Sequence, residues 1–304
     1  MKLYSPAVIM ALKEKHKFRI SKSLGQNFLV DQNIINKIIE SAEIGEGDLV
    51  LEIGAGMGVL TAAAAEKAAR VVAVEIDKNL LPVLKDALDG YGNIDIVNGD
   101  VLKMDLSELV GRSREGTAAA GAAAAGSGKT VVIGNLPYYI TTPAIMKVLE
   151  EKMAVERIVV MVQKEVADRI GAKPGTKAYG AITAAINYYC TISVEKDVPR
   201  DVFFPRPNVD SAILRLDVRK EPPVSLVDEK AFFACIKAGF GKRRKTLQNA
   251  LAGLYGLGKQ EVGEALQSAA IDPSRRAETL SIEEFAALAN SIRHTANSIS
   301  PACR

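Results

Sequence analysis

Apolar residues in this chain recur first with the period of a helix and then in the short runs of buried strands. Ile34, Ile35, Ile38, Ile39 and Ala42 fall on one helical face behind Asp31, a capping residue, so a helix is expected over 31–44. The run 49–53 predicts a strand, followed by a glycine turn and an alanine-rich helix over 59–69. A second strand at 71–75, a helix near 79–88 and a third strand near 94–97 continue the alternation. Such alternation predicts an α/β fold with a doubly wound parallel sheet. Further strands are expected at 131–134, 157–162, 191–194 and 212–218.

Beyond 218, Glu221-Pro222-Pro223 reads as a linker, and helical patterns follow at 228–238, 245–254, 259–269 and 282–292. The economical division is a domain at 1–219, opening on a basic arm at 1–30, and a small all-helical domain at 220–304. Segment 111–129 breaks the pattern. Residues 117–128 are almost wholly Ala, Gly and Ser and offer nothing with which to build a core, so 111–129 is expected to be a flexible surface insertion. Its end, Gly126-Ser127-Gly128-Lys129-Thr130, imitates a phosphate-binding loop. The leading glycine of that motif would fall at Ala123, however, and a strand follows where a helix is required.

Composition mainly excludes. With 304 residues, 48% hydrophobic and 25% charged, the chain suits one large and one smaller globular domain. No apolar stretch approaches the roughly 18 residues of a membrane span, and the basic, polar start lacks a signal-peptide core. Cys190, Cys235 and Cys303 are scattered, and His16 and His294 are the only histidines. Neither a metal site nor a histidine triad is expected, and a cytoplasmic setting is. The net charge of +3 is unevenly spread: residues 1–30 carry +5, 31–199 carry −6 and 200–304 carry +4. An acidic middle between basic ends suits a catalytic core whose edges grip a polyanion, although solvated surface helices give the same pattern.

The candidate chemistry lies at strand ends, where open parallel sheets bind ligands. Gly54-Ala55-Gly56-Met57-Gly58 joins the first strand to its helix, letting a ligand approach the helix start. A dinucleotide fingerprint would need its third glycine at Val59, so a nicotinamide cofactor is disfavoured. Glu75 ends the second strand and can accept from both ribose hydroxyls of an adenosine; Asp77 competes for that role. Asp100, after the third strand, can accept from an adenine amino group. Gly54, Glu75 and Asp100 on successive strand ends together describe a site for S-adenosylmethionine. Asn135-Leu136-Pro137-Tyr138 follows the run Val131-Val132-Ile133 and offers an amide oxygen beside an aromatic face. That suits methylation of a nucleobase nitrogen. Tyr138 and Phe203 are the stacking candidates; either could instead be a core aromatic, with Phe204 the stronger candidate for the core.

With these residues assembled, the chain from about 22 to 291 closely resembles the ribosomal RNA adenine dimethyltransferases. Ser23-Leu24-Gly25-Gln26-Asn27-Phe28-Leu29-Val30-Asp31 looks like the family's N-terminal signature, and the resemblance implies Asn27 and Leu29 as cofactor contacts. Gly54, Gly56, Glu75 and Asp100 match its cofactor-binding positions, and Asn135 opens its catalytic motif. Phe203-Phe204-Pro205-Arg206-Pro207-Asn208-Val209-Asp210-Ser211 matches a later motif whose first aromatic helps hold the target base. The resemblance implies a Rossmann-like fold and dimethylation at N6 of two adjacent adenines near the 3′ end of small-subunit (16S) ribosomal RNA. The Asn135 side-chain oxygen and the Leu136 carbonyl would hold the amino group. The implied partners are that RNA and the pre-30S particle, met by a monomer through Lys22, Arg206, Lys242, Arg243, Arg244 and Lys245; for the last four, a solvated helix face is the alternative. Three other readings stay open. One is the antibiotic-resistance group acting on large-subunit RNA, from which the 241–251 segment leans away; another is a role mainly as an assembly checkpoint; the third is a small-molecule or DNA amino-methyltransferase, which predicts activity on free nucleosides or duplex DNA.

Overall fold

A computed structural model describes residues 2–21, 24–119 and 128–299. The chain runs through α1 (Pro6–His16), β1 (Phe28–Leu29), α2 (Gln32–Ala42), β2 (Leu49–Ile53), α3 (Val59–Ala65) and β3 (Arg70–Glu75). Next come α4 (Leu81–Ala87), β4 (Ile94–Asn98), α5 (Leu106–Ala119), β5 (Thr130–Asn135), α6 (Thr141–Glu150), β6 (Val155–Gln163) and α7 (Lys164–Ile170). The remainder is α8 (Ala181–Tyr189), β7 (Cys190–Val198), β8 (Phe203–Phe204), β9 (Ser211–Val218), α9 (Glu229–Gly241), α10 (Leu247–Leu251), α11 (Lys259–Ser268) and α12 (Ile282–Ile299).

Among the described residues, seven strands form one sheet in the order β4-β3-β2-β5-β6-β9-β7. The pairs β3–β4, β2–β3, β2–β5 and β5–β6 are parallel, and β6–β9 is antiparallel. Strands β2 and β5 read as continuous apolar runs because helices cover both faces of such a sheet; every residue of β2 is buried. The chain leaves β2 outward through β3 and β4, then returns to the other side of β2 as β5. That reversal opens a crevice between the carboxyl ends of β2 and β5, the topological switch point. Helix α2 forms as its pattern predicts: Asp31 accepts from the amides of Asn33 and Ile34, and Ile34, Ile35, Ile38 and Ile39 are buried.

The expected arm at 1–30 has regular structure. Pro6 opens α1, Ile9 and Leu12 are buried, and Lys15 and His16 reach Asp86 at 2.7 and 2.9 Å. The signature residues Phe28 and Leu29 pair antiparallel with Phe204 and Phe203. The expected insertion at 111–129 contracts from both ends. Residues through Ala119 continue α5. Lys129 donates its amide to Asp48 Oδ1 at 3.0 Å, and a Cβ on Gly128 would sit only 1.7 Å from the Gly47 carbonyl oxygen. Residues 120–127 lie outside the described chain.

The chain divides into two compact units. One holds the described residues up to Ala167 together with Ile192–Val218; the other holds Asp168–Thr191 and the described residues from Arg219 onward. A cut at 219/220 therefore misses that 168–191 go with the helices. The physical reason is aromatic: Tyr188 on α8 packs against Phe232 on α9 with ring centroids 5.1 Å apart, in a core shared with Phe240 and Phe285.

Candidate active site

Glycine conformation shapes the floor of the crevice. Gly54, Gly56 and Gly58 have φ of +77°, +57° and +79°, a region that β-branched side chains avoid, and Gly58 starts α3. Glu75, at the end of β3, is 5% exposed, and both of its carboxylate oxygens are used. Oε2 accepts from the Gly56 amide and Oε1 from the Asp77 amide, each at 2.8 Å. Burial pushes the Glu75 carboxyl up, and these amide donors pull it back down. Each oxygen keeps a further lone pair for a ligand hydroxyl.

Glu75 lines the cavity described below and Asp77 does not. Asp77 Oδ1 accepts from the Asn79 amide at 3.0 Å, and its Oδ2 accepts from Gln26 Nε2 at 2.7 Å. Gln26 Oε1 in turn takes the Ser21 amide at 2.7 Å. Asp77 thus fastens the N-terminal signature to the end of β3.

A cavity of about 160 Å³ lies over this floor, lined by Gly25 to Phe28, Gly54, Gly56, Glu75, Ile76, Asp100 to Leu102, Asn135, Pro137 and Tyr139, among others. It brings together Asn27, Gly54, Gly56, Glu75, Asp100 and Asn135, as the motifs implied. Asn135 Nδ2 donates to the Asn27 carbonyl at 2.8 Å, and Asn27 Nδ2 donates to the Gly25 carbonyl at 3.1 Å. With its nitrogen so engaged, the Asn135 amide presents its oxygen on the opposite side. Leu136 is 2% exposed, so its side chain anchors the motif in the core. Sequence reasoning missed Gln26, Ile76 and Leu102. Ile76 carried a signal of sorts: it directly follows the motif acid and is 44% exposed despite its apolar side chain.

Four placements depart from expectation. Leu29 does not line this cavity; it is buried in the cluster with Ile34 and Ile38 because β1 turns it inward. Phe203, a stacking candidate, is 4% exposed and packed in that same cluster. Phe204, expected in the core, is the half-buried member of the pair. Tyr138 is likewise half-buried and outside the cavity lining, its hydroxyl 3.0 Å from Ser211 Oγ; Tyr139, 57% exposed, is the tyrosine on the cavity wall.

Of the residues implied for RNA, Lys22 lies outside the described chain. Arg206 is exposed and paired with Asp201 at 2.8 Å. Lys242, Arg243, Arg244 and Lys245 are all exposed. Among the described residues no group of His, Cys, Asp or Glu side chains could hold a metal ion, and no helix is long and apolar enough to cross a membrane.

Glu52 in β2 lies beneath the glycine turn, on a small cavity of about 30 Å³ shared with Gly54, Gly56 and Asn135. Burial pushes its carboxyl up to about 8, and the negative charge of Glu75 works in the same direction. The folded protein therefore keeps a proton on Glu52 that the unfolded chain releases near the ordinary value of 4.5. This contribution to stability is lost as pH rises from about 4.5 to 8. Replacing Glu52 with glutamine removes that slope. Between pH 5 and 8, without ligand, the variant is expected to gain on wild type by up to about 4 kcal/mol, at about 1.4 kcal/mol per pH unit. Urea denaturation at the two pH values measures it, and a stability difference that ignores pH would refute the assignment.

The family model and the curated relatives agree on one family. The family model for ribosomal RNA adenine dimethylase matches residues 17–294. The chain is 50% identical to ribosomal RNA small subunit methyltransferase A of Alkaliphilus metalliredigens, over 96% of this chain and 98% of that one. It is also 50% identical to the protein of that name from Clostridioides difficile, over 92% and 93%. Among solved structures, a dimethyladenosine transferase from Plasmodium falciparum superposes with a TM-score of 0.71 at 24% identity, covering 86% of this chain and 95% of the other. The 23S rRNA methyltransferase ErmE superposes with a TM-score of 0.63 at 28% identity, covering 88% and 100%.

Proposed function

Because this chain belongs to the ribosomal RNA adenine dimethylase family, we propose that it methylates N6 of two adjacent adenines in the 3′-terminal hairpin of small-subunit ribosomal RNA. The methyl donor is S-adenosylmethionine, whose sulfonium supplies an electrophilic methyl group when bound. The observation that carries the reading is the Asn135 amide, fixed through Asn27 and set on the same cavity as Glu75 and Asp100. The residues fit the donor. Glu75 faces the cavity with lone pairs for ribose hydroxyls, Asp100 can take an adenine amino group, and Ile76, Val101 and Leu102 give apolar walls for a flat ring.

Adenine N6 is a poor nucleophile because its lone pair is spread into the ring. The Asn135 oxygen and the Leu136 carbonyl would accept its two N–H groups, favour a pyramidal nitrogen and stabilise the positive charge that grows there. Once methylated, the nitrogen is cationic and sheds its proton readily to water, so no strong base is required. Aromatic stacking on an extruded base contributes about 1–3 kcal/mol. Tyr138 and Phe204 are the half-buried rings that could provide it, in place of the buried Phe203.

The exposed cations Lys242, Arg243, Arg244 and Lys245 suit sequence-independent binding to phosphates. The substrate would be the pre-30S particle, met in the cytoplasm by a monomer. The test is incubation with under-methylated small subunits and tritiated donor, followed by mass spectrometric mapping. Two neighbouring dimethyladenines near the 3′ end are expected; small subunits left unlabelled while large subunits incubated in parallel take up label would overturn the assignment.

A further inference from the structure

The loop at 171–178, between α7 and α8, carries Lys173 and Lys177 some 65 residues before the basic run at 242–245, and nothing in the sequence connects the two. In the second unit they are fastened together. Arg243 Nη2 donates to the Lys177 carbonyl at 3.1 Å, and the Gly175 amide donates to the Glu278 carbonyl at 2.7 Å. Just past the loop, Tyr179 is 2% exposed and meets Phe240 of α9 edge-on at 5.8 Å. The loop is also closed on itself, with the Thr176 amide and hydroxyl both donating to the Lys173 carbonyl at 3.2 and 2.7 Å.

Its surface chemistry is narrow. Apart from the two lysines, 171–178 contain only Gly, Ala, Pro and Thr, with no carboxylate and no large apolar group. Lys173, Lys177, Lys242, Arg243, Arg244 and Lys245 are all exposed. The carboxylate of the adjoining segment, Glu278, lies 4.0 Å from Arg243. A surface of cations without apolar anchors fits a sugar–phosphate backbone better than a protein partner, whose interfaces need a buried apolar core.

We propose that the 171–178 loop and the 242–245 run form one phosphate-binding surface, and that its partner is the backbone of the RNA substrate. The proposal rests on the RNA reading above. Arg243 has two roles in it: it bonds the loop carbonyl and adds charge. Because the loop is already closed and bonded, little ordering remains to oppose binding.

The test measures binding of a fluorescein-labelled transcript of the small-subunit 3′ region across a potassium chloride series. It compares wild type, a Lys173→Ala/Lys177→Ala double variant and a Lys173→Arg/Lys177→Arg double variant. Loss of two phosphate contacts is expected to reduce the slope of log affinity against log salt by about 1.5. Affinity at low salt should fall roughly tenfold or more, while donor binding by calorimetry stays unchanged. The arginine pair should keep the wild-type slope. A steep wild-type slope matched by an unchanged alanine variant overturns the role of the loop alone. A wild type whose affinity ignores salt overturns the RNA reading itself, and the loop with it.

Discussion

Replacing Asn135 with alanine is expected to give a folded protein that still takes up its methyl donor but transfers methyl groups at least about 100-fold more slowly, the scale of losing one transition-state hydrogen bond. The structure says why the amide acts as an acceptor. Its nitrogen is committed to the Asn27 carbonyl, so the oxygen is the end left for a substrate N–H. Asparagine is half-exposed there and supports no core packing, so truncation should leave the fold intact. Aspartate is a sharper probe. It keeps an acceptor but turns a carboxylate oxygen on the Asn27 carbonyl, so it should lose both the tether and the rate. Single-turnover kinetics with tritiated donor, beside donor calorimetry, separate these effects; wild-type turnover by the alanine variant would remove Asn135 from the mechanism.

Replacing Glu75 with alanine is expected to weaken donor binding by 100-fold or more. Hydrogen bonds to a charged acceptor are worth about 1.5–3 kcal/mol each, and two ribose hydroxyls would be lost together. A second effect adds to this one. The Gly56 and Asp77 amides lose their acceptor, so the glycine turn that shapes the floor is no longer held. Glutamine cannot fully substitute, because its NH₂ group would face one of those two amide donors. Calorimetric titration measures the loss, and an affinity within threefold of wild type would contradict the site.

Much of this site was legible because the local chemistry requires it. A glycine turn that must adopt positive φ, an acid closing each of two neighbouring strands, and an asparagine closing a third can be read from short windows. A parallel sheet then guarantees that those ends share one edge. Continuing the strand favours Glu75 over Asp77, and of the two only Glu75 lines the cavity. The aromatic residues went the other way. In a strand of only two residues, Phe203 and Phe204 carry no periodicity from which to tell inside from outside. Their pairing with Leu29 and Phe28, about 175 residues earlier, decides it. Tyr138 and Tyr139 are likewise adjacent, and which one walls the cavity depends on Ser211 drawing the first toward β9.

By itself, then, the sequence determined the alternating architecture, the strand-end acids, the glycine floor and the asparagine that closes β5. Each depends on backbone conformation or hydrophobic period within a few residues. Only the tertiary structure decided which aromatic rings are buried, that a helix organises the basic start of the chain, and that 168–191 pack with the C-terminal helices. Those outcomes depend on partners far away along the chain. Contacts of that kind are selected by burial and shape, and no local window records them.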